Sequence, residues 1–206
     1  MSEALRLTDA ASLGDLGRFA SRARAVDDAG AMRLQAGGRV LAAWVCVMPG
    51  SGILAEGLVL GLRTFALAEP ADCDVVVPLG AVTDRTARAD GSGAFEIPPT
   101  RALAPWSAVT PPRSGWERGE DVEADVLARG ARAGIESVGA AVRERGAAAG
   151  FVRDRIWAEE TVPGVRAGGA FGAFSLGFLA PGSPVTVFRS NRWTRLTATG
   201  GHVLLR

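Results

Sequence analysis

Val40-Leu41-Ala42-Ala43-Trp44-Val45-Cys46-Val47-Met48 is the stretch on which the fold turns. It is apolar at every position, too short to cross a bilayer as a helix, and bounded by Gly37–Gly38 before and Pro49–Gly50 after. A short apolar run between turn residues reads as a central strand covered on both faces. Just upstream, Met32 and Leu34 alternate with Arg33 and Gln35, as on a half-exposed strand that turns at Gly37–Gly38. Downstream, Leu58 to Ala68 forms a second apolar strand interrupted by Gly61 and Arg63. Val75 to Leu79 makes a third, with Pro78 marking an edge or a strand end. The connections are too short for helical crossovers, so the sheet is predicted to be mostly antiparallel.

Helices frame this β-rich stretch. Residues 12–25 place Leu13, Leu16, Phe19, Ala20 and Ala23 at helical spacing, with Ser12 and Asp15 arranged like a capping box. Residues 119–145 form the longest helical segment, acidic at its start (Glu120, Asp121, Glu123, Asp125) and closed by Arg143 and Arg145, as the helix dipole favours. Its apolar stripe runs through Val122 and Val126, then Leu127, Ala131, Ile135, Val138 and Val142. Gly130, Gly134 and Gly139 weaken it by about 1 kcal/mol each, so it needs a closely packed partner. A third helix spans 166–179, carrying Phe171, Phe174 and Phe178.

The rest reads as strand and loop. A strand is predicted near 155–159, then a turn at Pro163–Gly164. A β-meander closes the chain at 185–189, 192–196 and 202–205. With Ser190–Asn191 as a two-residue turn, Phe188 faces Trp193, and Val185, Val187 and Leu196 point to the core. Pro and Gly crowd residues 89–115, which read as a linker or surface excursion with a brief strand at Phe95–Ile97. The predicted fold class is α+β: a single domain over 1–206, with one long and two shorter helices packed on a mostly antiparallel sheet.

Composition removes several chemistries. All 23 basic residues are Arg, and there is neither Lys nor Tyr. Schiff-base and general-base lysines are therefore excluded, as are phenolic acids and the lysine of a phosphate-binding loop. His202 is the only histidine, which leaves no two-His metal site. Ser51 lacks the spacing of a nucleophile elbow. Cys46 and Cys73 lack CxxC spacing and read as two buried small hydrophobes. No catalytic residue, metal site or cofactor is predicted. Residues 1–12 carry no apolar core of a leader peptide, and no apolar run reaches membrane length, so a cytoplasmic protein is expected.

Charge is uneven. Residues 1–160 hold 18 Arg against 22 acids, whereas 161–206 hold five Arg and no acid. Within this pattern Arg and Trp recur together: Arg113, Trp116 and Arg118; Arg155 and Trp157; Arg189, Arg192, Trp193 and Arg195. Arginine stacks on aromatic faces, so these residues are the candidate binding surface. The Gly168–Gly172 run opening the third helix serves close packing or, less directly, offers backbone N–H groups to an anion.

Pro111 to Glu117, Leu176 to Leu179, and Asn191-Arg192-Trp193 with Arg195–Leu196 together resemble an uncharacterised protein family of high-GC Gram-positive bacteria (actinobacteria). The resemblance implies no activity and no catalytic residues. The expected function is that of a non-enzymatic accessory protein binding a protein partner or a second copy of itself. Two alternatives compete with it. One is a small hydrolase or transferase, in which Asp84, Asp154 or Glu159 meets arginines in a pocket. The other is single-stranded nucleic-acid binding by the C-terminal hairpin.

Overall fold

The computed structural model describes residues 4–52, 54–89, 91–146 and 149–206. Residues 1–3, part of the stretch read as no leader peptide, lie outside them. The fold is α+β with a mainly antiparallel sheet, and the chain divides into two compact units. The first comprises Met1–Val47 and Leu62–Val109, the second Met48–Gly61 and Thr110–Arg206.

The first unit opens with β1 (Ala4–Arg6) and α1 (Ala10–Val26). Leu13, Leu16, Phe19, Ala20 and Ala23 are all buried, as their spacing requires. The cap differs from the expected box. Asp9 is the N-cap, its carboxylate accepting from the Ser12 backbone N–H at 2.7 Å, and Asp15 instead pairs with Arg18 and Arg63.

Most of β2 (Ala31–Met48) and β3 (Val59–Pro78) also lies in this unit. No turn forms at Gly37–Gly38. β2 runs through both, with Gly38 at a φ of 59° that glycine tolerates. The two later apolar runs likewise merge into β3, which stops at Pro78. β2 is not covered on both faces: Leu41, Ala43, Val45 and Val47 are buried while Ala42, Trp44, Cys46 and Met48 are half-buried. It pairs with β3 at one end of the strand order, so it is an edge strand rather than a central one. Cys46 and Cys73 are half-buried rather than core residues.

After β3 comes α2 (Leu79–Ala87), a helix the sequence reading did not anticipate, seated by Leu79 and Val82. The Pro/Gly-rich segment then adds β4 (Ala94–Glu96), which pairs antiparallel with β1 so that Leu5 faces Phe95. A 3-10 turn follows at Pro105–Ala108. Phe95, Ile97 and Ala104 are buried, so this stretch belongs to the core of its unit.

In the second unit, residues 117–123 form strand β5 (Glu117–Glu123) rather than the start of a helix. It pairs with β8 (Pro184–Ser190), Val122 opposite Val185, and its acids lie along an outer strand where charge discourages further pairing. Tertiary pairing thus overrides local helix preference. α3 begins later, at Ala124, and ends at Arg145. Ile135 and Val142, placed in its apolar stripe by spacing, are exposed. The predicted strand at 155–159 is α4 (Ala149–Ala158), followed by a hairpin of β6 (Glu160–Val162) and β7 (Val165–Arg166) around Pro163–Gly164.

α5 (Ala167–Ser175), β9 (Trp193–Ala198) and β10 (Gly201–Leu205) complete the chain. Within this unit the strand order is the start of β3, then β10, β9, β8 and β5. The meander turns at Asn191–Arg192, so Ser190 faces Trp193 and Phe188 faces Arg195. The expected register was off by two residues. Such a slip preserves facing, and Val185, Val187 and Leu196 are buried as predicted. Helix packing uses small residues: Gly130 meets Thr161, Gly134 meets the Trp157 ring, and Gly172 lies against Val59 and Val203.

Candidate functional site

Two features of the second unit concentrate chemistry. The first is a face of the sheet. Strand register sets Arg118, Phe188, Arg195 and Leu204 in one row across β5, β8, β9 and β10. The Arg195 guanidinium sits 4.2 Å from the Phe188 ring centre and 4.7 Å from that of Trp116. Trp116 is held in place by its Nε1–H, which donates to the Pro112 carbonyl at 2.9 Å. Arg195 Nε is buried and finds no hydrogen-bond partner among the described residues, and burial holds the Arg195 pKa below its ordinary value. The flanking aromatic rings supply cation–π contacts that partly offset this desolvation.

His202 lies two residues along β10 from Leu204, opposite Thr197, with Nδ1 3.0 Å from Thr197 Oγ1. Burial, and then the charge of Arg195, lower its pKa below the ordinary 6.5. The folded protein therefore resists protonation there more than the unfolded chain does. The stability this gives is full above pH ~6.5 and falls as pH drops through the lowered folded value. Urea midpoints measured between pH 7.5 and 5 are expected to decline for the native chain, and His202→Gln removes that share of the decline. With a single histidine in the chain, its NMR titration reads the site directly.

The second feature is a cavity of about 500 Å³. Its apolar wall comes from Met48, Val59, Trp157 and Leu205. Ser51, Glu56 and Asp154 add polar groups, and Arg153, Arg166 and Arg206 bring three guanidinium groups. The start of α5 contributes Gly168 and Gly169. Trp157 is buried and stacks on Phe171, ring centres 4.6 Å apart.

The structure separates most of the candidate binding residues. Trp116 and Arg195 come together. Trp193 is buried, only 6% exposed, with Arg206 5.9 Å from its ring centre. Arg189 lies against Gly164 in the β6–β7 turn. Arg192 is exposed in the β8–β9 turn, and Arg113 is exposed ahead of β5. Arg155 is exposed on α4 whereas Trp157 is buried, so these sequence neighbours do not stack.

Among the carboxylates, Asp154 lines the cavity, while Asp84 borders a recess in the first unit with Arg85 and Arg88. Glu159 is not among the cavity's lining residues; its carbonyl accepts from Ala167 N–H at 2.7 Å. Among the described residues no three His, Cys, Asp or Glu side chains gather as a metal site, and no helix is long and apolar enough to cross a membrane. Sequence reading passed over Arg153, Arg166 and Arg206 as cavity residues. The available signal was Arg166 directly before the Gly-rich opening of α5.

Several solved structures share this fold, two of which illustrate it. One is the DNA polymerase III beta subunit of Thermotoga maritima, with a TM-score of 0.53 at 15% identity, covering 99% of this chain and 64% of that one. The other is a protein assigned as a DNA polymerase III beta subunit from Eubacterium rectale, with a TM-score of 0.57 at 10% identity, covering 99% and 65%. The chain thus spans just under two thirds of either structure. At these identities the likeness is one of fold. Comparison with curated proteins found no match. Residues 111–206 match the family model described as a domain of unknown function, DUF8185. Residues 1–108, more than half of the sequence, match the domain of unknown function DUF8010, and the chain belongs to that family.

Proposed function

We propose that the protein is a non-catalytic, cytoplasmic accessory protein that binds a protein partner or a second copy of itself in work on DNA. One observation carries this reading: nearly the whole chain follows the fold of two DNA polymerase III beta subunits, proteins named as components of a larger assembly. The arginine-only basic composition adds support for an actinobacterial source.

In-cell crosslinking followed by mass spectrometry, combined with native mass spectrometry of the purified chain, tests the reading. DNA-handling proteins or a second copy are expected among the crosslinks. A strict monomer crosslinked only to proteins unconnected with DNA overturns it. Stacking of single-stranded nucleic acid on the C-terminal hairpin has less support, because the Trp193 ring is buried.

A further inference from the structure

We infer that the cavity of the second unit is a binding site for a small organic anion, a carboxylate or phosphate monoester carried on an apolar body. A volume of about 500 Å³ suits a small ligand. The wall formed by Met48, Val59, Trp157 and Leu205 fits an apolar body, and the cations around it define the sign of the head group.

The three arginines are not equivalent. Arg153 is already paired with Asp154 at 3.0 Å. Arg166 and Arg206 have no salt bridge among the described residues, and Arg206 Nε is buried without a hydrogen-bond partner. The Arg206 backbone is fixed in place: its N–H donates to Leu58 O at 3.1 Å, and its carbonyl accepts from Gly57 N–H at 2.9 Å. Two guanidinium groups without carboxylates beside an apolar wall favour an anion over a neutral or cationic ligand. The opening of α5 adds the positive end of a helix dipole to the same space. Glu56 is the one lining side-chain carboxylate without a salt bridge among the described residues, and it opposes an anion.

The probe is 8-anilinonaphthalene-1-sulfonate, an anion on an aromatic body, titrated into the full chain by fluorescence. A saturable site is expected. Arg166→Gln and Arg206→Gln should each weaken it roughly tenfold, the loss of one charge-assisted contact. Glu56→Gln should strengthen it, a gain that unfolding cannot imitate. Arg129→Gln, a change on α3 away from the cavity lining, should leave it unchanged. Benzoate and phenyl phosphate should displace the dye at lower concentration than benzyl alcohol, and the better of the two names the head group. Equal displacement by benzyl alcohol, or affinity indifferent to all three cavity variants, overturns the proposal. It stands or falls independently of any DNA-related partner.

Discussion

Phe95→Ala lowers stability by about 3–5 kcal/mol, measured as a fall in the urea unfolding midpoint with little change in slope. Phe95 is 2% exposed on β4, a strand of three residues inside the segment whose Pro and Gly content reads as a linker. Its ring faces Leu5 across the β1–β4 pair, and Leu5 is equally buried. Truncation leaves a cavity that the proline-bordered chain around it, with Pro98 and Pro99 close by, has little freedom to refill. If residues 89–115 were a linker, the same substitution would cost a few tenths of a kcal/mol. A midpoint indistinguishable from the native one would remove β4 from the core.

Trp157→Ala is expected to cost a similar ~3–5 kcal/mol in the second unit. The indole stacks on Phe171 and fills the space that glycine leaves at position 134 of α3. Its removal unseats α4 from both α3 and α5, which both touch the ring. Trp157→Phe keeps most of the apolar contact and should recover much of the loss, whereas a role confined to ligand contact would leave both variants as stable as the native chain. Thermal or urea unfolding followed by far-ultraviolet circular dichroism distinguishes these cases without relying on tryptophan emission.

These two positions also show what was legible in the sequence. Periodicity placed every buried residue of α1 and the inward face of the meander, because apolar spacing is written locally. It missed β5, where a run of acids looked like the first turn of a helix, because that strand exists through its pairing with β8. It read α4 as a strand because Arg155 to Glu159 carries no clear helical period. Gly37–Gly38 looked like a turn, and only the extended path of β2 shows that glycine there serves a positive φ within a strand. For the candidate site, the Arg–aromatic chemistry was visible but its grouping was not. Trp116 and Arg195 are distant in sequence and meet across strands, whereas the adjacent Arg192 and Trp193 part at a turn. The cavity was invisible for the same reason, since its lining comes from Met48–Val59, α4, α5 and the end of β10.

The discontinuity of the second unit bears on how such a protein can be inherited. Met48–Gly61 interrupts the first unit's sequence yet completes the second, supplying Val59 to the glycine face of α5 and much of the cavity wall. The family match that begins at residue 111 therefore covers less than what packs together. A recombination event cutting between residues 108 and 111 would carry off a half whose end strand and helix lack their neighbour. A substitution at Val59 is therefore felt by residues more than a hundred positions later, Gly172 among them.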